Sequence, residues 1–243
     1  MMPSSKKTTT IILFAKSPEG DGVKTRLSPA LSVEKRLELH KAMLQWSFQQ
    51  AMLSKADKVI VAIDGNHNNI FFENLFDQTK NNIQPINFDF RSFNKKKYSF
   101  IKQHEGDLGH KMLLAVNDEL KASLSDKAVI LIGSDCPFIT PEYIDAAMLA
   151  LDESPFVVGP ASDGGYVLLG MKETLPSIFI DIPWGTEEVL KKTCDVLLSE
   201  EKAYETLKML DDIDRPEDID LLVTYKNKSV LFEDFFNGLN WQD

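Results

Sequence analysis

The sequence has few cysteines and no long apolar run. Its only two cysteines, Cys136 and Cys194, are far apart and lack Cys-x-x-Cys spacing. This excludes a disulfide framework and a zinc knuckle, and it fits a reducing compartment such as the cytoplasm. No segment approaches the ~20 apolar residues that span a bilayer, so we predict no membrane insertion. The apolar run at residues 11–15 is too short for a signal peptide and leads into a predicted buried strand.

Basic residues are also in the minority. The 243 residues include 27 Lys and Arg against 37 Asp and Glu, which gives a net charge of -10. Nucleic acid is therefore excluded as a general partner, because binding a phosphate backbone needs a basic surface. An acidic protein can still hold a nucleotide where a few cations converge or where a metal is recruited.

No repeat or low-complexity linker interrupts the chain, and strand and helix signals alternate along it. This alternation predicts an α/β domain with a mainly parallel sheet and helices on both faces, formed by residues 1–243 as a single unit. The predicted strands cover residues 9–15, 58–63, 127–132, 156–159 and 166–169, with one or two more within 80–103. The predicted helices cover residues 33–53 (with Ser32 as N-cap), 67–76, 106–120, 141–151, 186–198 and 216–225. The tail at 227–243 contains Phe232, Phe235, Phe236 and Trp241, and we expect it to pack on the domain.

The loop after the first strand is a candidate phosphate site. Gly20 and Gly22 allow close backbone approach to a ligand, and Lys24 and Arg26 add two cations beside it. The loop is neither a Walker motif, because Val23 stands where glycine is required, nor a GxGxxG fingerprint. The alternative is a solvated turn with ordinary surface cations.

Three carboxylates are candidate metal ligands. Asp135 follows a predicted buried strand, and a carboxylate in that position suits Mg²⁺. Asp212 and Asp214 alternate, so they share one face if the segment is extended. The alternatives are a turn or capping role for Asp135 and helix capping by Asp214 ahead of Pro216.

Other loops carry weaker signals. The segment from Asp163 through Gly164 and Gly165 to Tyr166 is typical of a hairpin turn, and its glycines would also let a carboxylate sit close to a ligand. Gly106 and Asp107 precede a predicted helix, where Asp107 is foremost a helix-start acid. Trp184 could pack in the core or line a pocket, and Thr186 could cap the helix that follows.

Taken in order, these motifs resemble a known family. FAKSPEGDGVKTRL, EGDLGHKM, LIGSDCP, GPASDGGYVLLG, PWGTEEV and DIDRPED follow the order found in a glycosyltransferase-like family of the GT-A superfamily, often called radical-SAM/selenodomain-associated. That family is similar to 2-phospholactate guanylyltransferases and, more distantly, to molybdenum-cofactor guanylyltransferases. The resemblance runs from about Ile11 to Leu222.

The resemblance implies a GT-A fold and a set of residue roles. It implies phosphate contacts by Gly20, Lys24 and Arg26, a metal on Asp135 with Asp212 or Asp214 as a second ligand, and an acceptor side formed by Asp163, Gly164, Gly165 and Tyr166. The loops themselves add Gly22, Gly106 and Asp107 as candidate nucleotide-binding residues, and Trp184 and Thr186 as candidate acceptor-binding residues, while Asp212 and Asp214 are both kept as candidate metal ligands. The sequence departs from the family pattern where Lys111 replaces an arginine, Gly185 a serine and Arg215 a threonine. The Asp-x-Asp of many glycosyltransferases is also missing, because Cys136 and Pro137 follow Asp135.

The function expected from these features is transfer from a nucleotide-diphospho-sugar to a small-molecule acceptor with Mg²⁺ or Mn²⁺. Lys24 and Arg26 would neutralise the leaving phosphates, and Asp163 would be the base for an acceptor hydroxyl. The first alternative is a nucleotidyltransferase that uses a nucleoside triphosphate and releases pyrophosphate. A second is a nucleotide-binding protein without turnover. A phosphatase using Asp212 and Asp214 is disfavoured, because such a pair should follow an early strand. Homo-oligomer formation is left open by the sequence.

Overall fold

The central sheet has seven strands in the part of the chain that the computed structural model describes, residues 8–82, 96–121, 127–226 and 229–239. The strands are β1 (Thr8–Lys16), β2 (Lys58–Asp64), β3 (Lys97–Lys102), β4 (Lys127–Gly133), β5 (Phe156–Pro160), β6 (Tyr166–Met171) and β7 (Tyr204–Thr206). Their order is β3-β2-β1-β4-β6-β5-β7. Only β6 runs antiparallel to its neighbours, β4 and β5. The predicted mainly parallel sheet is therefore confirmed.

Helices cover both faces of the sheet. They are α1 (Val33–Leu53), α2 (Ile70–Asn82), α3 (Leu108–Lys121), α4 (Pro141–Glu153), α5 (Val189–Ser199), α6 (Ile219–Val223) and α7 (Val230–Leu239). Short 3₁₀ turns lie at Thr25–Leu27, Pro176–Ile178 and Pro216–Asp218. No helix in the described ranges is long and apolar enough to cross a membrane.

Alternation along β1 divides the core into two layers. Ile11 and Leu13 point to the face covered by α1, α2 and α4, whereas Ile12 points to the face covered by α3 and α5. All three side chains are fully buried. A strand buried on both faces needs the continuous apolar run that predicted it.

Several predicted boundaries were wrong, and local hydrogen bonds explain the first of them. The helix predicted at 67–76 instead spans Ile70–Asn82, because Asn66 and Asn69 accept backbone N–H bonds from Asn68 and Phe71 in turns that delay its start. The helix predicted from residue 186 begins at Val189. The helix predicted at 216–225 is a 3₁₀ turn followed by the short α6, and β7 was missed. In the unclear stretch the strand is Lys97–Lys102, while residues 83–95 lie outside the described part.

The tail packs on the domain as predicted, and it does so as a helix, α7. Phe232, Phe235 and Phe236 are buried in a third cluster with Leu39 and Met43 of α1. Trp241 lies outside the described residues. The tail is therefore part of the core rather than an appendage.

The chain reverses its direction of travel across the sheet at β1. It moves outward through β2 and β3 and then returns to the other side of β1 with β4. Parallel strands beside such a reversal leave a crevice at their carboxyl ends, where ligands bind. The loops after β1 and β4, which contain Lys24 and Asp135, therefore meet at one place.

Removing one tail phenylalanine should test how firmly α7 is held. Phe232 is fully buried, so Phe232→Ala should lower the free energy of unfolding by about 3–5 kcal/mol. Val230 begins the same helix and is 42% exposed, so Val230→Ala should change it by less than about 0.5 kcal/mol. Urea denaturation measures both. Equal small effects would contradict the packing described here.

Candidate functional site

A cleft of about 510 Å³ opens at the carboxyl ends of β1 and β4, as the topology requires. We call it the switch-point cleft. Its charged lining consists of Lys16, Lys24, Arg26, Lys111, His40, Asp64, Asp135 and Asp214. Several cations thus converge on one cleft of an otherwise acidic protein, which is the arrangement that attracts phosphate.

Lys24 and Asp135 form the central ion pair of the cleft. The Lys24 Nζ lies 2.7 Å from Asp135 Oδ1, and the lysine side chain is only 3% exposed whereas that of Asp135 is 53% exposed. The same ammonium donates to the carbonyl of Ile213. Lys24 has a left-handed backbone with φ of 49°, which is uncommon for a non-glycine residue. The protein around the cleft removes part of the hydration of Asp135, which would raise its pKa, but the Lys24 charge and hydrogen bond hold that pKa below its usual value.

Arg26 and Asp214 form a second ion pair at the cleft mouth. The Arg26 guanidinium donates to Asp214 Oδ2, and this bond raises the pKa of Arg26 above its ordinary value. Asp214 in turn is fixed through its backbone N–H, which donates to Asp218 Oδ2 at 2.9 Å. Capping by Asp214, the alternative offered by the sequence, is wrong: the capping side chain is that of Asp218, which also accepts from the N–H of Arg215.

Buried side chains of α1 hold the loop that carries these cations. Arg36 Nη1 donates to the carbonyls of Val23 at 2.8 Å and Asp21 at 3.1 Å. The His40 Nε2 lies 2.9 Å from the Lys16 carbonyl. Sequence reasoning missed both residues. No local signal set them apart, because the same helix also buries the polar side chains of Gln45, Ser47 and Gln49.

The predicted glycines and Asp107 lie outside the cleft lining. Gly20 has φ of 68° and therefore shapes the turn, while Gly22 accepts a hydrogen bond from Lys16 through its carbonyl. Gly106 has φ of 120°, and Asp107 caps α3 by accepting from the His110 N–H at 2.8 Å. The α3 residues that do reach the cleft are Leu108 and Lys111, and Lys111 pairs with Asp64 at 3.0 Å.

An apolar cavity of about 200 Å³ adjoins the switch-point cleft and shares Phe14, Leu108 and Gly133 with it. Its other walls include five of the predicted acceptor-side residues, Asp163, Gly165, Tyr166, Trp184 and Thr186. The predicted β5–β6 turn is present, and Gly164 adopts φ of 89° there. Thr186 does not cap α5. Its hydroxyl donates to the Pro183 carbonyl and accepts from the Glu188 N–H, which forms a turn before the helix.

An acidic cavity of about 510 Å³ lies beyond Arg26 and brings together Asp163, Asp212 and Asp214. Burial, together with the neighbouring charges of Asp163, Asp214 and Asp135, raises the pKa of Asp212 to about 6. The predicted metal carboxylates are therefore electrostatic neighbours. Within the described ranges, however, no three such side chains are already arranged as metal ligands.

Solved structures share this fold. A provisionally assigned nucleotide-diphospho-sugar transferase from Desulfovibrio desulfuricans G20 is 25% identical, with a TM-score of 0.73 over 93% of this chain and 92% of that one. The 4-diphosphocytidyl-2C-methyl-D-erythritol synthase from Anaerococcus prevotii DSM 20548 is 12% identical, with a TM-score of 0.55 over 90% and 96%. The inositol-1-phosphate CTP transferase from T. maritima is 11% identical, with a TM-score of 0.54 over 96% and 98%. The last two likenesses concern the fold alone.

These likenesses confirm the predicted GT-A fold, the fold of nucleotide-diphospho-sugar transferases, and agree with the predicted transferase class. Residues 58–186 match the family described as uncharacterised protein conserved in bacteria (DUF2064), and the chain belongs to that family. No curated protein matches the sequence.

The stability of the loop should depend on pH through His40. Burial lowers the pKa of His40, so the folded protein holds the neutral ring. Its contribution is therefore present above the unfolded pKa of about 6.5 and is lost as pH falls, by at most about 1.4 kcal/mol per pH unit. His40→Gln retains a hydrogen-bond donor but does not titrate. Urea denaturation from pH 7.5 to 5 should show the steeper loss in the unsubstituted protein, and parallel curves would contradict this role.

Proposed function

We propose that this protein is a nucleotide-dependent, glycosyltransferase-like enzyme that takes a nucleotide-diphospho-sugar donor and a small-molecule acceptor. The observation that carries the proposal is the Lys24–Asp135 pair at the reversal point of the sheet. It lies where α/β folds bind ligands, in a fold shared with a protein assigned to that donor class. The two free cysteines are consistent with the expected cytoplasmic location.

Binding of the donor phosphates falls to Lys24 and Arg26, with Lys16 and Lys111 lining the same cleft. Lys24 presents a point charge, whereas the guanidinium of Arg26 can bind two phosphate oxygens at once. Each cation now holds a carboxylate, Asp135 or Asp214. Contact with a phosphate therefore requires each to share or exchange its partner. Gly20, Gly22, Gly106 and Asp107 would then act on the donor only by shaping and capping the segments that carry the cleft residues.

The carboxylates suit a divalent ion. Asp135, Asp212 and Asp214 offer the hard oxygen atoms that Mg²⁺ and Mn²⁺ prefer. Burial is the main reason that the pKa of Asp212 is raised, and the charges of Asp163, Asp214 and Asp135 add to it. The side chains of Asp135, Asp212 and Asp214 would hold the ion. When bound, the ion supplies neutralisation of negative charge on phosphate oxygens.

The acceptor side favours a neutral hydroxyl group as the nucleophile. The acidic cavity carries five carboxylates, those of Asp163, Glu187, Asp212, Asp214 and Asp218, against the two arginines Arg26 and Arg215. Even with a divalent ion held by Asp212 and Asp214, the cavity keeps a net negative charge, which would repel a phosphorylated acceptor. Asp163 uses Oδ1 to accept from the Gly165 N–H at 2.8 Å, and no group in the described part of the chain donates to its Oδ2. Oδ2 is therefore placed to take the proton of an acceptor hydroxyl.

Nucleotidyl transfer is the second candidate, favoured by Cys136 and Pro137 after Asp135 in place of an Asp-x-Asp pair. In that reaction the same cations would bind a nucleoside triphosphate, and pyrophosphate would leave. A non-catalytic nucleotide-binding protein would have no need for Asp163 beside the cleft.

A panel of nucleotides tests the donor class. Nucleotide-sugars and nucleoside triphosphates, each with and without Mg²⁺, should be compared by thermal shift. A ligand at a hundred times its dissociation constant stabilises the protein by about 2.7 kcal/mol. We expect one nucleotide-sugar to stabilise it in an Mg²⁺-dependent way. Stabilisation by a triphosphate alone would replace the first candidate by the second, and no response to any ligand would contradict both.

Asp135→Asn should separate metal-assisted binding from simple phosphate binding. The substitution replaces a charged ligand of the proposed ion by a neutral one. The Mg²⁺-dependent part of the thermal shift should therefore disappear, while the Mg²⁺-independent part, which comes from the cations of the cleft, should persist. Asp77→Asn, at an exposed position of α2, is the matched control and should leave both parts unchanged. An unaltered Mg²⁺ response in Asp135→Asn would remove Asp135 from the metal site.

Asp163→Asn should reduce turnover without affecting the donor. Loss of a general base lowers the rate by about 10²–10⁴-fold, and Asp163 is outside the switch-point cleft. Turnover, followed by release of the nucleoside diphosphate, should fall by that factor while the donor thermal shift is retained. If turnover is unchanged, Asp163 is not the base.

A further inference from the structure

We infer that the acceptor is a hydroxylated compound whose body is a single apolar ring, bound in the apolar cavity with its hydroxyl at Asp163. This inference rests on the proposed function and extends it, because it names the chemical class of the second substrate. It follows from the size of the cavity, the groups that line it and its position between the other two cavities.

The size of the cavity fits one ring. Its volume is about 200 Å³, and an apolar protein cavity of roughly 150 Å³ is known to remain dry and to bind benzene. A larger ring system would extend beyond these walls into the adjoining switch-point cleft. A linear polar metabolite would leave much of the apolar wall without contacts.

The walls are apolar and aromatic. Phe14, Tyr166 and Trp184 contribute rings, and the rings of Tyr166 and Trp184 meet edge to face at 6.2 Å with an interplanar angle of 88°. The aliphatic side chains are those of Leu108, Met112, Leu131, Ile132, Val167 and Val189. Flat aromatic walls favour a planar or chair-shaped ring, which can lie against one face and meet the edge of another.

Few polar groups are available to a ligand inside the cavity. The Thr186 hydroxyl already donates to Pro183 and accepts from the Glu188 N–H. The Tyr166 hydroxyl is buried in the wall, inaccessible from the cavity, with no partner in the described structure. This leaves the Asp163 carboxylate as the charged group of the lining. A ring bearing many hydroxyls would lose its bonds to water there without replacing them.

The cavity is already formed because two glycines fix its walls. A Cβ at Gly109 would lie 2.6 Å from Trp184 Nε1, and a Cβ at Gly164 would lie 2.2 Å from the Glu187 carbonyl oxygen. The Leu190 N–H also donates to the Gly164 carbonyl at 2.9 Å, which ties the start of α5 to the β5–β6 turn. A wall packed this closely does not collapse into the empty space.

The position of the cavity delivers the hydroxyl to the donor. The cavity shares Phe14, Leu108 and Gly133 with the switch-point cleft, and it shares Asp163 with the acidic cavity. The acceptor oxygen would form the new bond to the sugar carbon as the bond from that carbon to the nucleoside diphosphate breaks. The hydroxyl proton would pass to Asp163, and the diphosphate would leave with the electron pair.

The experiment uses 4-fluorobenzyl alcohol as the probe and the full chain as the protein. Binding is followed by ¹⁹F NMR line broadening, with glycerol and methyl glucoside as polar competitors. We expect saturable binding of the fluorinated alcohol that neither competitor displaces. Displacement by methyl glucoside at lower concentration than by unlabelled benzyl alcohol would overturn the inference, as would the absence of binding.

Variants locate the probe. Val189→Phe fills the cavity and should weaken binding at least tenfold, whereas Val230→Phe places the same side chain on α7 and should leave it unchanged. If Val189→Phe does not fold, as judged by circular dichroism, Trp184→Leu removes an aromatic wall instead and should weaken binding severalfold. Equal binding by the wall variant and the control would overturn the assignment to this cavity.

The nucleotide panel distinguishes failure of the inference about the acceptor ring from failure of the proposed function. If a nucleotide binds but the fluorinated alcohol does not, the ring inference fails and the proposed function stands. If neither binds, the proposed function fails as well, and the ring inference falls with it.

Discussion

The parallel pairing of β1 with β4 is the constraint on which the site depends. That pairing sets Phe14 beside Gly133, so the loops that follow the two strands leave the sheet side by side. Lys24 meets Asp135 because the two loops start side by side at the same edge of the sheet. All three cavities are arranged around this point, and each shares a wall residue with another.

The site supplies its own counter-ions. Lys24 holds Asp135 and Arg26 holds Asp214, so the carboxylates proposed to bind a metal face internal cations. This arrangement keeps a net acidic protein from burying uncompensated charge, which would be costly. Asp212 lies among other carboxylates, and burial together with these acidic neighbours raises its pKa to about 6. The carboxylates of Asp135 and Asp214 are thus paired with cations, whereas the acidic cavity around Asp212, where the acceptor and the ion are expected, carries excess negative charge.

The sequence predicted the sheet better than it predicted the site. Continuous apolar runs are decisive for strands buried on both faces, and β1, β2 and β4 lie within one residue of their predicted ends. Capping by Ser32 was also predicted, and its hydroxyl accepts from the Lys35 N–H. Helix starts were less predictable, because Asn66, Asn69 and Thr186 form turns with their own backbone. The tail was expected to pack, yet its helix was missed.

Within the site, the charged residues were found and their supports were not. Lys24, Arg26, Asp135 and Asp214 line one cleft. Lys24, Arg26 and Asp135 could be predicted because they follow strands whose ends are recognisable in the sequence. Arg36 and His40 act on that cleft from inside a helix, where nothing local distinguishes them from surface polar residues. The glycines illustrate the converse error: Gly20 and Gly106 stand out in sequence because of turns, and the turns lie outside the cleft lining.

The site is assembled from segments that lie far apart in the sequence. Lys24 bonds to the Ile213 carbonyl across 189 positions, and Arg26 bonds to Asp214 across 188. Such distant contacts form late, because the entropy of closing the intervening chain must be overcome first. During synthesis the Lys24 ammonium therefore lacks its Ile213 partner until the chain has been extended by those 189 positions. Lys24 is made well before the residue that completes its surroundings.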